Sequence, residues 1–286
     1  MAQPQTHTTT RNTLEVPGAT LYYEIRGTGP VLLAIPGGPT DAGMFTGLAD
    51  LLADRYTVVT YDPRGHSRST LDGAPAELGA RVHAEDAARL LDAVGAEPAY
   101  VLGNSGGATI GLDLVARHGE KVNTLVAHEP PVMELLPDRE RWRALLSDIY
   151  DTYRKQGPFP AMEKFGRAVE EGGPKYSEQQ QQQPQAAPSP EQTAMMNRMM
   201  GNFDIFLAHE LLPITRYVPD IAALKASPSR IVIAGGKSSG EQSAYRAARA
   251  LAERLGIELT SFEGAHGGFG APEEAFTEKL HEILRA

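Results

Sequence analysis

From residue 31 onward the chain alternates short apolar runs with longer amphipathic stretches. VLLAIP (31–36), YTVVTYD (56–62), AYVLGN (99–104) and NTLVAHE (123–129) are compact and rich in aliphatic residues, as strands buried on both faces must be. The stretches between them, near 43–53, 77–94 and 106–117, have helical spacing; in the second, Val82, Ala87, Leu90, Leu91 and Val94 fall on related turns. Such alternation resolves into a mostly parallel, doubly wound sheet, because each helix returns over the sheet before the next strand starts. The fold class is therefore α/β. Ahead of it, LEVP, a Gly-Ala turn and TLYYEIRG read as a β-hairpin. The alternation stops at Pro130-Pro131. It resumes with RIVIAGG (230–236), a helix over 241–255, the strand IELTSFEG and a last helix over 272–285.

This interruption divides the chain into a sheet domain of residues 1–131 and 228–286 and an inserted helical cap of residues 132–227. Helices are expected in the cap near 138–155, 159–171 and 190–209. They surround SEQQQQQPQAAPSP (177–190), which has too little apolar surface to pack and reads as a flexible loop. The formal charge of -9 and the absence of any basic cluster argue against a nucleic-acid partner. The absence of cysteine excludes thiol catalysis, disulfides and cysteine-ligated metal. The polar start MAQPQTHTTTRN is no secretory signal, and no run is long enough to span a bilayer. The expectation is a cytoplasmic protein without a membrane partner; a homodimer is compatible with this.

Gly103-Asn104-Ser105-Gly106-Gly107 fits G-x-S-x-G. Glycine and serine are common, so the pattern alone says little. Here an apolar strand precedes it and a helix of small residues follows, the strand–turn–helix setting in which a serine is held exposed on a strained turn. Ser105 is the candidate nucleophile. The backbone N–H of Gly106 is one expected donor to an oxyanion. In Pro36-Gly37-Gly38-Pro39, after the first parallel strand, Gly38 is the second, since Pro39 has no N–H. A hydroxyl nucleophile needs a base. Of the eight histidines, His266 in Gly264-Ala265-His266-Gly267-Gly268 follows the last strand, where a loop opens at the carboxyl edge of the sheet. His66 reads as structural, His83 and His118 as surface helix residues and His128 as strand packing, while His209 in the cap is a candidate for substrate contact. No histidine or acidic pair has metal-ligand spacing, and neither metal nor cofactor is expected.

The base needs a carboxylate to hold its tautomer. The loop after RIVIAGG reads Lys237-Ser238-Ser239-Gly240, with no acid until Glu241, which reads as the start of the next helix. The other position that reaches the same histidine is the end of the strand after the nucleophile helix, where His128-Glu129-Pro130-Pro131 stands. Glu129 is the preferred acid. Asp62, before Pro63-Arg64-Gly65, reads as a loop cap.

Pro36-Gly37-Gly38-Pro39, Tyr61-Asp62-Pro63-Arg64-Gly65-His66-Ser67, the Ser105 pentapeptide and Gly264-Ala265-His266 together resemble the α/β-hydrolase superfamily over about residues 14–131 and 228–286. Within it the chain is most similar to the zearalenone-lactonase-like branch. That likeness implies a glutamate as triad acid at the place Glu129 holds, and an α/β-hydrolase fold with a cap. It does not transfer a substrate. In the cap, Met195, Met199 and Phe203 repeat at i, i+4 and i+8, with Met196 and Met200 alongside. One stripe should pack on the sheet domain and the rest line an adaptable apolar pocket. Trp142, Met199, Phe203 and Phe206 are its candidate lining, with Met44 and Phe45 as the opposite wall.

The expected partner is thus a medium-sized apolar ester or lactone. The same triad also suits C–C bond hydrolysis, perhydrolysis or a proline-type aminopeptidase with Glu170, Glu171 or Glu210 binding the amine. A non-catalytic ligand receptor is the remaining alternative.

Overall fold

The computed structural model describes residues 8–95, 98–173, 189–267 and 273–286. Nine strands form one sheet. The opening hairpin pairs β1 (Thr10–Val16) with β2 (Ala19–Arg26) across a two-residue turn at Pro17-Gly18, one position earlier than the Gly-Ala turn expected from sequence. Next come β3 (Val31–Ile35), β4 (Thr57–Tyr61), the short β5 (Thr70–Leu71), β6 (Ala99–Asn104), β7 (Val122–His128), β8 (Arg230–Gly236) and β9 (Thr260–Phe262). The spatial order is β1-β2-β4-β3-β6-β7-β8-β9, with β5 on β2. The six strands from β4 to β9 along this order are all parallel, and the hairpin joins them antiparallel.

The two faces separate residue by residue, as the twofold strand period requires. Leu33 and Ile35 of β3, Val101 of β6 and Ile233 of β8 join α2 (Ala80–Ala93), α3 (Gly106–His118) and a helix over Ser243–Leu255 in one core. Leu32, Ala34, Leu102 and Val232 point the other way, onto α1 (Thr46–Leu52) and the terminal helix Glu273–Arg285. Helices on both faces make the sheet doubly wound, as the alternating pattern implied.

Between β7 and β8 the described residues form helices: α4 (Arg139–Gln156), α5 (Pro158–Glu170), α6 (Pro190–Gly201) and shorter pieces to Ala226. Residues 177–188 of the expected flexible loop lie outside the described residues. Ser189 caps α6 instead, exchanging side-chain and backbone hydrogen bonds with Gln192. The helix expected over 190–209 is kinked at Asn202, and Phe206–Glu210 is a wide π-helical turn, a feature often found at functional sites. Trp142, Leu146, Phe203 and Phe206 belong to the same apolar cluster as α2 and α3, so this helical segment shares the core of the sheet.

Candidate active site

Ser105 stands between β6 and α3 with φ +54° and ψ −123°, a strained backbone for a residue with a Cβ. Its N–H donates to His128 O on β7 (2.9 Å). The elbow is crowded. A Cβ on Gly107 would lie 2.0 Å from Ile35 O, and one on Gly103 would lie 2.4 Å from Gly107 O, so only glycine fits at either place. Gly106 N opens α3 and has no acceptor within the helix. Gly38 N lies 3.6 Å from where a Cβ on Gly106 would stand. Two N–H groups therefore neighbour one another beside the serine.

Glu129 closes β7, with φ +49° and its own N–H donated to Ala234 O of β8 (2.9 Å). The carboxylate is fully enclosed. Oε1 accepts from Gly236 N (2.8 Å) and from the Ser239 hydroxyl, and Oε2 accepts from His266 Nδ1 (2.7 Å). Burial by itself would raise its pKa. The hydrogen bond from His266, with that from the Ser239 hydroxyl and the positive charge the His266 ring carries whenever it is protonated, outweighs burial and holds it below the ordinary value. An ionised carboxylate can only accept, so Nδ1 of His266 carries hydrogen. Its Nε2 then presents a lone pair to the Ser105 hydroxyl at 3.1 Å. Ser105, His266 and Glu129 thus form one hydrogen-bonded row, 137 and 161 residues apart in sequence along its two links.

The floor beneath is supplied by His128. It is buried, edge-on to Phe262 and Phe276, with Nδ1 3.0 Å from Asn104 Oδ1. Burial pushes its pKa down to about 4, so it stays neutral under the row. Asp62 accepts from Ala42 N, Arg68 N and the Arg68 guanidinium and so caps its loop. Glu241 precedes the Ser243–Leu255 helix and reaches Arg249 at 3.5 Å, out in solvent.

A cavity opens at Ser105, Gly38, Gly106 and His266 and runs between Trp142, Phe206 and Ile214. A wider, more open one adjoins His266 and is walled by Phe159, Met199 and Phe203. Met44 and Phe45 are among the lining of neither. Phe45 is fully buried on the opposite face of the sheet with Leu32 and Phe276, and Met44 packs against that same cluster. The tight turn Ala42–Phe45 directs its aromatic ring inward, where the sequence reading had it facing a substrate.

His83, read as a surface residue, is also buried, 3.2 Å from Glu210 Oε1. It falls on the stripe Ala80, His83, Ala84, Ala87, Leu91 that α2 turns inward, and that spacing was the signal. His209 lines neither cavity; its carbonyl accepts from Leu78 N. Glu171 is tied to Arg141, and Glu210 to His66 (3.0 Å). Among the described residues no cluster of histidine and acidic side chains is arranged to hold a metal ion, and no helix is long and apolar enough to cross a membrane.

A mostly parallel sheet with a strained serine at a strand–helix turn is the architecture of one large group, and the chain belongs to it: it is a hydrolase of the α/β-hydrolase superfamily. The family model for the alpha/beta hydrolase fold matches residues 30–167. The uncharacterized hydrolase YraK of Bacillus subtilis is 38% identical over 283 residues, spanning 97% of each chain. A zearalenone hydrolase of Bionectria ochroleuca is 34% identical over 128 residues, 43% of this chain and 48% of that one. Among solved structures, a thermophilic esterase from Thermogutta terrifontis superposes with a TM-score of 0.75 at 19% identity, covering 96% of this chain and 98% of the other, a likeness of fold.

Proposed function

We propose that the chain hydrolyses carboxylic esters or lactones of medium-sized apolar compounds through a Ser105–His266–Glu129 triad, with residues 132–227 acting as the cap over the site. The observation that carries this reading is the hydrogen-bonded row with its direction set: acceptor-only Glu129, Nδ1–H on His266, and a lone pair on Nε2 facing the Ser105 hydroxyl. In that direction the row can do one thing well, which is to take the serine proton.

Ser105 Oγ attacks the acyl carbon as His266 Nε2 accepts the hydroxyl proton. The carbonyl π electrons move onto oxygen, which the N–H groups of Gly38 and Gly106 receive. Collapse of the tetrahedral species breaks the bond to the alkoxy oxygen. His266 returns the proton to that oxygen, and the alcohol leaves; in a lactone it stays attached to the acyl group. Water then gives a proton to His266 and its oxygen to the acyl carbon. A second collapse releases the acid and restores Ser105. Glu129 stabilises the imidazolium formed in each half. Its place at the end of β7 keeps it on a strand, pinned on both sides, instead of in a loop. The lining around Trp142, Phe206 and Ile214 suits an apolar acyl group.

The test is a panel of p-nitrophenyl esters and aliphatic and aromatic lactones, assayed with the wild type and with Ser105→Ala. Turnover on at least one member, lost with Ser105→Ala, is expected, together with fluorophosphonate labelling of Ser105. Turnover that survives in Ser105→Ala would overturn the reading.

A further inference from the structure

The peptide that joins Gly37 to Gly38 carries the N–H assigned above to the oxyanion. Both of its residues are held to glycine. A Cβ on Gly37 would lie 2.3 Å from Asn104 O and 2.9 Å from Ser105 Cβ, so the elbow leaves no room for one. Gly38 has φ +61°, a backbone that glycine adopts freely and other residues rarely do. The result is a peptide with little of its own to stop it turning. A flip rotates ψ of the first residue against φ of the second, and glycine at both places opposes neither rotation. Flipped, the peptide would point Gly37 O, not Gly38 N–H, at the developing negative charge.

In a trans peptide the C=O and the N–H point in opposite directions, so holding the oxygen aims the nitrogen. Gly37 O accepts from the Thr40 hydroxyl at 2.7 Å. That hydroxyl has one hydrogen to give, and a carbonyl oxygen so close takes it ahead of a weak thioether acceptor, Met44 Sδ at 3.3 Å. A hydrogen bond to the oxygen also polarises the N–H at the other end of the same peptide. Thr40 is fixed in turn. Pro39 locks its own φ just before it. Pro39 O accepts from Asn202 Nδ2 (2.9 Å) and Thr40 O from His66 Nδ1 (3.2 Å). The carbonyls of residues 37, 39 and 40 are thus each engaged by a side chain, and the first of these bonds decides where Gly38 N–H points.

We propose that Thr40 is a positioning residue for the oxyanion donor: its hydroxyl holds the Gly37–Gly38 peptide in the orientation that presents Gly38 N–H beside Ser105. This rests on the hydrolytic reading above. Thr40 is not among the walls of either cavity. Its absence is felt when charge develops on the substrate's carbonyl oxygen, not when the substrate binds, so the effect belongs in kcat.

The experiment compares Thr40→Val, which keeps the branched shape and removes the hydroxyl, with Thr40→Ser, which keeps the hydroxyl, on the p-nitrophenyl ester the wild type turns over best. Losing an oxyanion donor outright costs about 10²- to 10³-fold in kcat. Thr40→Val retains the donor but lets it turn away, so kcat should fall about 10- to 100-fold with KM within about twofold. Thr40→Ser should lose less than about 10-fold. Thr40→Ala, which adds no bulk, takes the place of Thr40→Val if that variant does not fold. A loss below about 10-fold in the variant without the hydroxyl would overturn the proposal, as would a loss carried by KM or an equal loss in Thr40→Ser.

A second readout needs no turnover. Glycine labelled with ¹³C at the carbonyl and ¹⁵N at the amide allows selection of amides that follow a glycine, which are Gly38, Gly107, Gly173, Gly236 and Gly268. Gly38 should give one sharp NMR signal in the wild type and Thr40→Ser, and a doubled or exchange-broadened one in Thr40→Val. If no ester turns over but Gly38 responds in this way, the hydrolytic reading fails and the peptide lock stands. If esters turn over and the Gly38 signal is the same in all three proteins, the lock alone fails.

Discussion

Replacing Glu129 with glutamine changes one oxygen to an amide nitrogen and removes a charge, with almost no change in volume. In the native site the carboxylate accepts three hydrogen bonds, from Gly236 N, the Ser239 hydroxyl and His266 Nδ1. The amide oxygen of glutamine can still serve Gly236 and Ser239. Its NH2 group then faces Nδ1, a donor against a donor. The imidazole relieves this by moving its hydrogen to Nε2, the nitrogen that faces Ser105 at 3.1 Å. In that tautomer it cannot take the serine proton, and no carboxylate remains to stabilise an imidazolium. Mis-set tautomers of this kind cost roughly 10³- to 10⁴-fold in turnover in triads elsewhere, equivalent to about 4–5.5 kcal/mol of barrier at ~1.36 kcal/mol per decade. The assay is kcat and KM on whichever p-nitrophenyl ester the wild type turns over best, with thermal unfolding to verify that the variant is folded. The loss should lie in kcat, since Glu129 is enclosed and does not meet the substrate. Glu241→Gln is the control: Glu241 is solvent-exposed and, among the described residues, its carboxylate pairs with Arg249 at 3.5 Å, so its activity should match the wild type. A folded Glu129→Gln enzyme that keeps a tenth of wild-type kcat/KM would refute the reasoning, as would inactivity in Glu241→Gln.

Ser105→Ala should lower kcat by about 10⁴-fold or more while still binding ligand, measured by single-turnover kinetics and calorimetry. Gly107→Ala places a Cβ 2.0 Å from Ile35 O; it should lose more than about 3 kcal/mol of stability in urea unfolding or fail to fold. Asn202→Ala removes the acceptor of Ser67 N (2.7 Å) and the donor to Pro39 O (2.9 Å) beside the Gly38 loop. It should lower stability by about 1–3 kcal/mol and kcat about 10-fold, whereas a purely structural role would leave kcat unchanged. Thermal stability should also depend on pH from both sides. Glu129 and Glu210 are held below their ordinary value of 4.5, so their contribution is complete above about pH 4.5 and is lost on acidification, for Glu210 as pH nears about 2. His66 is raised above 6.5, so its contribution is complete below about pH 6.5 and fades as pH rises through its folded value. His128, held down to about 4, takes up its proton more readily in the unfolded chain and so withdraws stability as pH falls below about 6.5. The Tm should therefore be highest near pH 6.5, and Glu210→Gln should flatten both flanks of the profile.

Much of the frame was legible because strand and helix periods are local properties. The bounds of β6 and β8 were read to the residue, and the alternation from residue 31 predicted which strands would run parallel. Ser105 was read from its glycine-flanked motif between a strand and a helix, Glu129 from its place at the end of an apolar strand, and His266 from the glycine-flanked loop past the last strand. Phe45 and His83 show where that logic stops. A tight turn or one step around a helix decides whether such a residue meets solvent, ligand or core, and neither leaves a composition signal. Glu210 was noticed only as a spare acid in the cap. Its partners lie on α2 and on the loop after β4, 144 residues away in the case of His66, and no local pattern joins them. The kink at Asn202 has the same origin. The methionine repeat runs through it as one helix, but the Asn202 side chain is bound to Ser67 and Pro39 across the cleft.

The placing of Glu129 at the tip of β7 relieves the Lys237–Gly240 turn of supplying the acid; its ties to the site are the Ser239 hydroxyl to Glu129, Ser238 N to Gly264 O (2.8 Å) and Lys237 N to Phe262 O (2.9 Å). A turn relieved of the acid is open ground for an engineer. Insertions beyond Ser239 could enlarge or recolour the rim of the cleft while the proton-handling machinery, rooted in neighbouring strands, keeps its alignment.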